Sequence, residues 1–416
     1  MLTDGPTDGP TRLPHRRKED IMRQAVIVDI VRTASGKGKP GGALSGVHPV
    51  DLYATVLRAL AERNDLDPGR VEDVITGCVG QAGQQAMNIG RNAVLAAGWP
   101  ESVPATTIDR QCGSSQQAMH FAAQGVMAGA YDIVVAGGVE SMSRVPMGVS
   151  TLGQDPQGPG VARRYPQGLV GQGVSAELIA QRWGLSRERL DEYSARSHRL
   201  AAETANAGGF DHEIVPVRVG GDGDGRFAAD ETIRPSTSPE GLAALRPSFD
   251  APEMRERFPD LDWRITAGNS SPLTDGAAAT LIMGEDVAAK LGLRARARFH
   301  AFAVAGDDPL LMLTAPIPAT QQVLARAGLG IDTIDAYEVN EAFAPVPLAW
   351  LAELGGDLER LNCRGGAIAL GHPLGASGIR LMATMLHHLE ATGGRYGLQT
   401  MCEGGGLANA TVVERL

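Results

Sequence analysis

The chain is poor in cysteine, in aromatic residues and in long apolar runs, and each shortage removes a class of protein. Four cysteines (Cys78, Cys112, Cys363 and Cys402) in 416 residues are too few for a disulfide framework and suit a reducing cytosol. No pair of them has the spacing of zinc ligands, so no metal site is expected. No apolar stretch approaches the roughly 20 residues of a membrane-spanning helix, so no membrane partner is expected. Lys and Arg total 38 against 48 Asp and Glu, a net charge of −10. That balance argues against a broad electrostatic grip on nucleic acid, and the strongest basic cluster is only His15-Arg16-Arg17-Lys18. Aromatics are scarce at 4%, whereas glycine is plentiful at 53 residues, a composition that points to tight turns and close backbone approaches.

Residues 1–23 repeat Asp-Gly-Pro at 4–6 and 8–10 and carry no apolar segment that could act as a secretory signal. Asp4, Asp8, Glu19 and Asp20 also make a poor organelle transit peptide, since such peptides are low in acids. A disordered tail and a cytoplasmic location are the expectation.

Beyond the tail, strand and helix patterns alternate. Residues 24–31, 71–77, 103–108 and 132–138 read as strands, and 50–62 and 115–127 as helices, which predicts an α/β fold with helices layered on sheet. Between about 145 and 265 the composition shifts to Gly, Pro, Arg and Asp around a helix pair at 175–183 and 186–207. This reads as an inserted loop region, with Ser186 as the N-cap of its second helix. Strand character returns at 277–283. A chain of 416 residues is too long for one ordinary core, so two or three packed units are expected.

Cys112 stands where the strand at 103–108 turns into the helix at 115–127. Free amides and the positive end of the dipole at a helix N-terminus lower a thiol's pKa, and the thiolate is the nucleophile. A second strand–helix–strand unit has a matching turn: Cys112-Gly113-Ser114-Ser115 is echoed by Gly371-His372-Pro373-Leu374-Gly375, followed by a helix through 389 and a strand ending at Cys402. In a duplicated α/β fold such turns meet at the interface between halves, which would gather Cys112, His372 and Cys402.

Four blocks in order then carry a resemblance to the thiolase family. They are the Cys112 loop; Thr266-Ala267-Gly268-Asn269-Ser270-Ser271 with Asp275-Gly276-Ala277-Ala278; Asn340-Glu341-Ala342-Phe343-Ala344; and the His372 and Cys402 turns. The resemblance covers residues 24–416 and implies a thiolase-like five-layer αβαβα fold of two similar halves, 24–290 and 291–416. The inserted loop domain at about 145–265 would bind coenzyme A. It further implies a homodimer or homotetramer, acyl-CoA and coenzyme A as substrates, and no permanently bound cofactor.

The residue types fit that chemistry. Cys112 would attack a carbonyl carbon with His372 as its base, forming an acyl-enzyme. Cys402, beside Gly404-Gly405-Gly406, would move the α-proton of acetyl-CoA. By resemblance, the amides of Cys112 and Gly404 hold one oxyanion, and His372 with a water on Asn340 holds the other. For coenzyme A, Ser271, Arg234, Ala342 and Phe343 are the candidate contacts. Cys78, Cys363, His48, His120, His198, His212, His300, His387 and His388 lack such settings, and structural roles are expected for them. Where thiolases dedicated to acetoacetyl-CoA often carry His-Met-Gly, this chain has Gly171-Gln172-Gly173, a departure that argues against a strict short-chain preference and leaves longer or branched 3-ketoacyl chains open. The competing reading is a non-catalytic thiolase-like protein that binds acyl-CoA or lipid. A ketoacyl-carrier-protein synthase would use one Cys with two His, and the Met401-Cys402-Glu403 turn argues against it.

Overall fold

A computed structural model describes residues 23–220 and 225–416. The expected tail at 1–23 lies, apart from Arg23, outside the described residues.

The first half supplies strands β1 (Ala25–Thr33), β2 (Asp73–Gly77), β3 (Ala105–Ile108), β4 (Ile133–Ser141) and β5 (Thr274–Gly284). The second supplies β6 (Ala297–Gly306), β7 (Ala336–Val339), β8 (Tyr396–Glu403) and β9 (Leu407–Arg415). They form one continuous sheet in the order β7-β8-β9-β6-β1-β5-β4-β2-β3. Antiparallel pairing of Val26 with Arg298 and of Ile27 with Ala297 joins the halves. Every residue of β1, β4 and β5 is buried, the pattern of strands covered on both faces. Their near-continuous apolar sequences follow from that position.

Helix α1 (Pro49–Arg63) and α2 (Ile89–Ala96) pack with the outer face of the first-half strands. Two central helices, α3 (Ser114–Met127) and, later, one spanning Ser377–Thr392, share an apolar core with strands of both halves through Ala118, Ala122, Ile379 and Met382. Between them in sequence come α4 (Gln172–Arg182) and α5 (Arg187–Asn206) in the insertion, then α6 (Pro316–Ala327) and α7 (Pro345–Leu354). The second central helix is therefore α8. Val323 of α6 and Trp350 of α7 lie in the core on the remaining outer face. Helices, strands, central helices, strands and helices make the five layers. Small side chains on α3 and α8, among them Ala118, Ala122 and Ala383, let the strands of both halves pack close against this helix layer.

The expected elements are present with modest changes at their ends. Helix α4 starts at Gln172 because Gly171, at φ −71° and ψ 158°, caps it in an extended conformation. Strand β5 starts at Thr274 because Asp275 pairs with Ser141 and Gly276 with Glu140. Ser186 caps α5 as expected, accepting from the Arg189 amide at 3.2 Å.

Candidate active site

Cys112 sits on the turn from β3 to α3, one residue before the Gly113 N-cap. The turn is built by Gln111 in the left-handed region at φ 47° and by Ser114, which accepts from the Arg110 amide at 2.9 Å and donates to the Gln111 carbonyl at 2.6 Å. Asn409 of β9 donates to the Gly113 carbonyl at 3.0 Å. Cys112 is 3% exposed and packs with Leu381 of α8, Met401 and Leu374. Burial pushes its thiol up, and Cys402 and Glu403 push the same way against a hydrogen bond from Gln172. The helix-terminal position therefore does not produce a resting thiolate, which corrects the expectation from sequence. Desolvation of a charge in a closed apolar site outweighs the dipole of one helix end.

His372 follows Gly371, whose φ of 81° only glycine adopts easily. Its amide donates to Thr274 Oγ1 at 2.9 Å. Nδ1 lies 2.6 Å from Ser377 Oγ, and that hydroxyl donates to the Pro373 carbonyl at 2.8 Å. The only hydroxyl proton of Ser377 is thus engaged, so Nδ1 carries a hydrogen and donates, leaving the lone pair on Nε2. Asn340 Nδ2 stands 3.4 Å from Nε2. Burial, then the Arg380 charge, lower the imidazole to about 3, so the resting ring is neutral.

Cys402, next to last in β8, is fully buried. Its sulfur is 3.9 Å from Asn340 Nδ2 and 3.9 Å from the Asn340 carbonyl oxygen, and burial pushes its thiol up to about 12. Asn340 therefore touches both His372 and Cys402, while its Oδ1 has no partner among the described residues. Gly404 lies against Gln111, where an added Cβ would come 3.1 Å from Oε1, so the two loops abut. Glu403 is wholly buried, neither carboxyl oxygen has a partner among the described residues, and burial raises it to about 8.

His372 opens onto a cavity of about 370 Å³ between the insertion and the two halves. His372, Ser271, Ala342 and Phe343 line it together with Gln172, Met142, Met147 and Leu374. Phe249 of the insertion meets Phe343 edge-on at 5.8 Å. Arg234 does not reach this cavity. It is exposed, and its amide donates to His198 Nδ1 at 3.2 Å. Cys78 is buried beside Gln85 at 3.4 Å, and Cys363 donates to the Glu359 carbonyl at 3.4 Å.

Sequence reasoning missed Gln172 as a wall of the cavity, the Ser377 partner of His372 and the buried acid next to Cys402. A serine five residues after the histidine, at the start of a helix, is the one signal that could have been read. Among the described residues no group of His, Cys, Asp or Glu is arranged to hold a metal, and no helix is long and apolar enough to cross a membrane.

The thiolase N-terminal domain model matches residues 25–286 and the thiolase C-terminal domain model residues 293–415. The chain belongs to the thiolase family. Among thiolases it is 48% identical to the steroid 3-ketoacyl-CoA thiolase FadA6 of Mycobacterium tuberculosis over 404 residues, 95% of each chain. It is 47% identical to a 3-ketoacyl-CoA thiolase of Erwinia tasmaniensis, across 95% of this thiolase and 100% of that one. The crystal structure of the Bacillus anthracis acetyl-CoA acetyltransferase resembles it with a TM-score of 0.85 at 36% identity, covering 95% of this chain and 99% of that chain.

Proposed function

We propose that this acyltransferase cleaves 3-ketoacyl-CoA with coenzyme A, or runs the reverse Claisen condensation, through an acyl group carried on Cys112. The observation that carries the reading is the position of Asn340 within 3.4 Å of His372 and 3.9 Å of Cys402 at a cavity that His372 itself lines.

In the cleavage direction His372 Nε2 takes the Cys112 proton as the sulfur attacks the 3-keto carbon, and the amides of Cys112 and Gly404 hold the oxyanion. The bond between C2 and C3 then breaks. Electrons pass to the acetyl-CoA enolate, whose oxygen is held by His372 and a water on Asn340 Oδ1, and Cys402 protonates its carbon. Coenzyme A attacks the acyl thioester, its thiol proton passing to Cys402, and the Cys112 sulfur leaves and takes back the proton held on His372. Both thiols and the imidazole rest neutral because the site is dry, so charge develops only once a thioester supplies an oxygen to receive it.

Ser271, Ala342 and Phe343 would flank the pantetheine arm in the cavity, with Arg234 outside it for the nucleotide end. The residues 24–290 and 291–416 would act as the two catalytic halves. The groups invoked are side chains and amides of the chain, one water and the coenzyme A thioesters themselves, and no resident cofactor enters the reaction. Strand β3 ends the sheet with Thr106 exposed, an edge that pairing with a second copy would cover. This edge supports a homodimer or homotetramer, and the free thiols support a cytoplasmic location. A non-catalytic binding protein would need an altered nucleophile, base or second cysteine, and all three are in place.

The deciding experiment is coenzyme A-dependent loss of the Mg-enolate absorbance across a 3-ketoacyl-CoA series, with Cys112→Ser as blank. The expected result is cleavage that vanishes in the blank and persists beyond acetoacetyl-CoA, because Gln172 and two methionines shape the cavity wall. A folded, coenzyme A-binding protein inactive on the whole series would overturn the catalytic reading.

A further inference from the structure

Glu341 follows Asn340 in the chain, is 1% exposed, and forms no ion pair among the described residues. Four donors surround its carboxyl group. Tyr193 Oη at 2.8 Å and Asn362 Nδ2 at 2.9 Å reach one oxygen, and Ser197 Oγ at 2.7 Å and the Ile368 amide at 3.1 Å reach the other. A carboxyl this deeply buried without a cation is tolerated only because each oxygen is hydrogen-bonded.

The donors come from parts of the fold with different duties. Tyr193 and Ser197 lie one turn apart on α5, in the insertion. Asn362 and Ile368 lie on the segment leading to His372. That segment closes on the carboxyl group because residue 366 is glycine; a Cβ there would collide with the Glu341 carboxyl. Ser197 accepts from the Gly366 amide at 3.0 Å, and Asn362 brackets Val339, accepting from its amide at 2.9 Å and donating to its carbonyl at 2.9 Å. The network therefore grips the end of β7 on both sides of Asn340.

From this geometry we infer that Glu341 is a positioning residue for the carbon–carbon step: it ties α5 of the insertion to the loop that carries Asn340 and holds that amide against His372 and Cys402. The inference rests on the reaction proposed above. Acylation of Cys112 depends on the β3–α3 and β8–β9 loops, whereas the enolate depends on Asn340, so loosening the Glu341 network separates the two half-reactions. His372 keeps its own anchors on Thr274 and Ser377.

Glu341→Gln preserves shape but turns an amide nitrogen toward two donors. The expected result is acylation of Cys112 by acetyl-CoA, followed by intact mass, at a near wild-type rate. Cleavage of 3-ketoacyl-CoA should fall on the order of a hundredfold in kcat with little change in KM, the scale of a misplaced catalytic group. A merely structural role would lower both half-reactions together with the melting temperature. The double variant Tyr193→Phe, Ser197→Ala removes the α5 donors while keeping Glu341, and it serves if Glu341→Gln does not fold; the same split, smaller, is expected. Equal loss in both half-reactions, or no loss in either, in a folded variant of an active wild type overturns the role of Glu341 alone. A wild type that performs neither half-reaction overturns the functional reading and this inference with it.

Discussion

His372 donates from Nδ1 to Ser377 Oγ across 2.6 Å, and this single contact selects the tautomer whose free lone pair faces Asn340. Replacing Ser377 with Ala leaves Nδ1 without a partner, so both tautomers and other ring orientations become accessible. Turnover should drop by roughly tenfold or more, with coenzyme A binding unchanged, as expected for a misoriented base. Steady-state kinetics beside a direct binding titration check this. Unaltered kcat would mean that Thr274 and packing suffice to orient the ring.

Cys112→Ser should fold like the wild type and lose turnover by on the order of a thousandfold or more, since a serine hydroxyl beside a neutral imidazole is a far weaker nucleophile. Circular dichroism and the 3-ketoacyl-CoA assay together test it. Retained activity would remove Cys112 from the mechanism.

Cys402→Ala should still accept an acetyl group on Cys112, because coenzyme A can depart as a thiolate without a proton from Cys402, whereas the α-proton has no other carrier. Mass spectrometry after incubation with acetyl-CoA should show the acyl adduct, while condensation and cleavage are both lost. A variant that condenses acetyl-CoA as fast as the wild type would contradict this.

Glu403 makes stability depend on pH. Its folded-state value of about 8 lies above the ordinary 4.5, so between these values the folded chain binds more protons than the unfolded one, and this group costs stability as pH rises. Glu403→Gln should therefore unfold at higher urea than the wild type at pH 9, with the gain shrinking toward pH 5. A gain that is the same at both pH values would show that the Glu403 carboxyl is ionised throughout.

Much of the fold was legible because layered α/β architecture writes itself locally. The apolar run of β1 and the capping Ser186 carry their own signals, independent of distant neighbours. Cys112, His372, Cys402 and Asn340, the groups proposed to react, stand out in the sequence for a related reason: each lies near the end of a strand or in a glycine-containing turn, where local sequence already marks an unusual backbone. Arg234 shows the limit, since nothing in Thr232-Ile233-Arg234 reveals that its side chain is exposed and away from the cavity.

The sequence by itself determined the order of strands and helices and singled out the groups proposed to react, all of which depend on short-range periodicity and turn chemistry. Only the tertiary structure decided the protonation of those groups, the tautomer of His372 and the grip of Glu341 on the Asn340 loop. The Gly113 carbonyl and its Asn409 donor lie 296 residues apart in the chain. Burial and neighbouring charge arise from contacts of that range, and they shift a titrating group more than the helix end on which it sits.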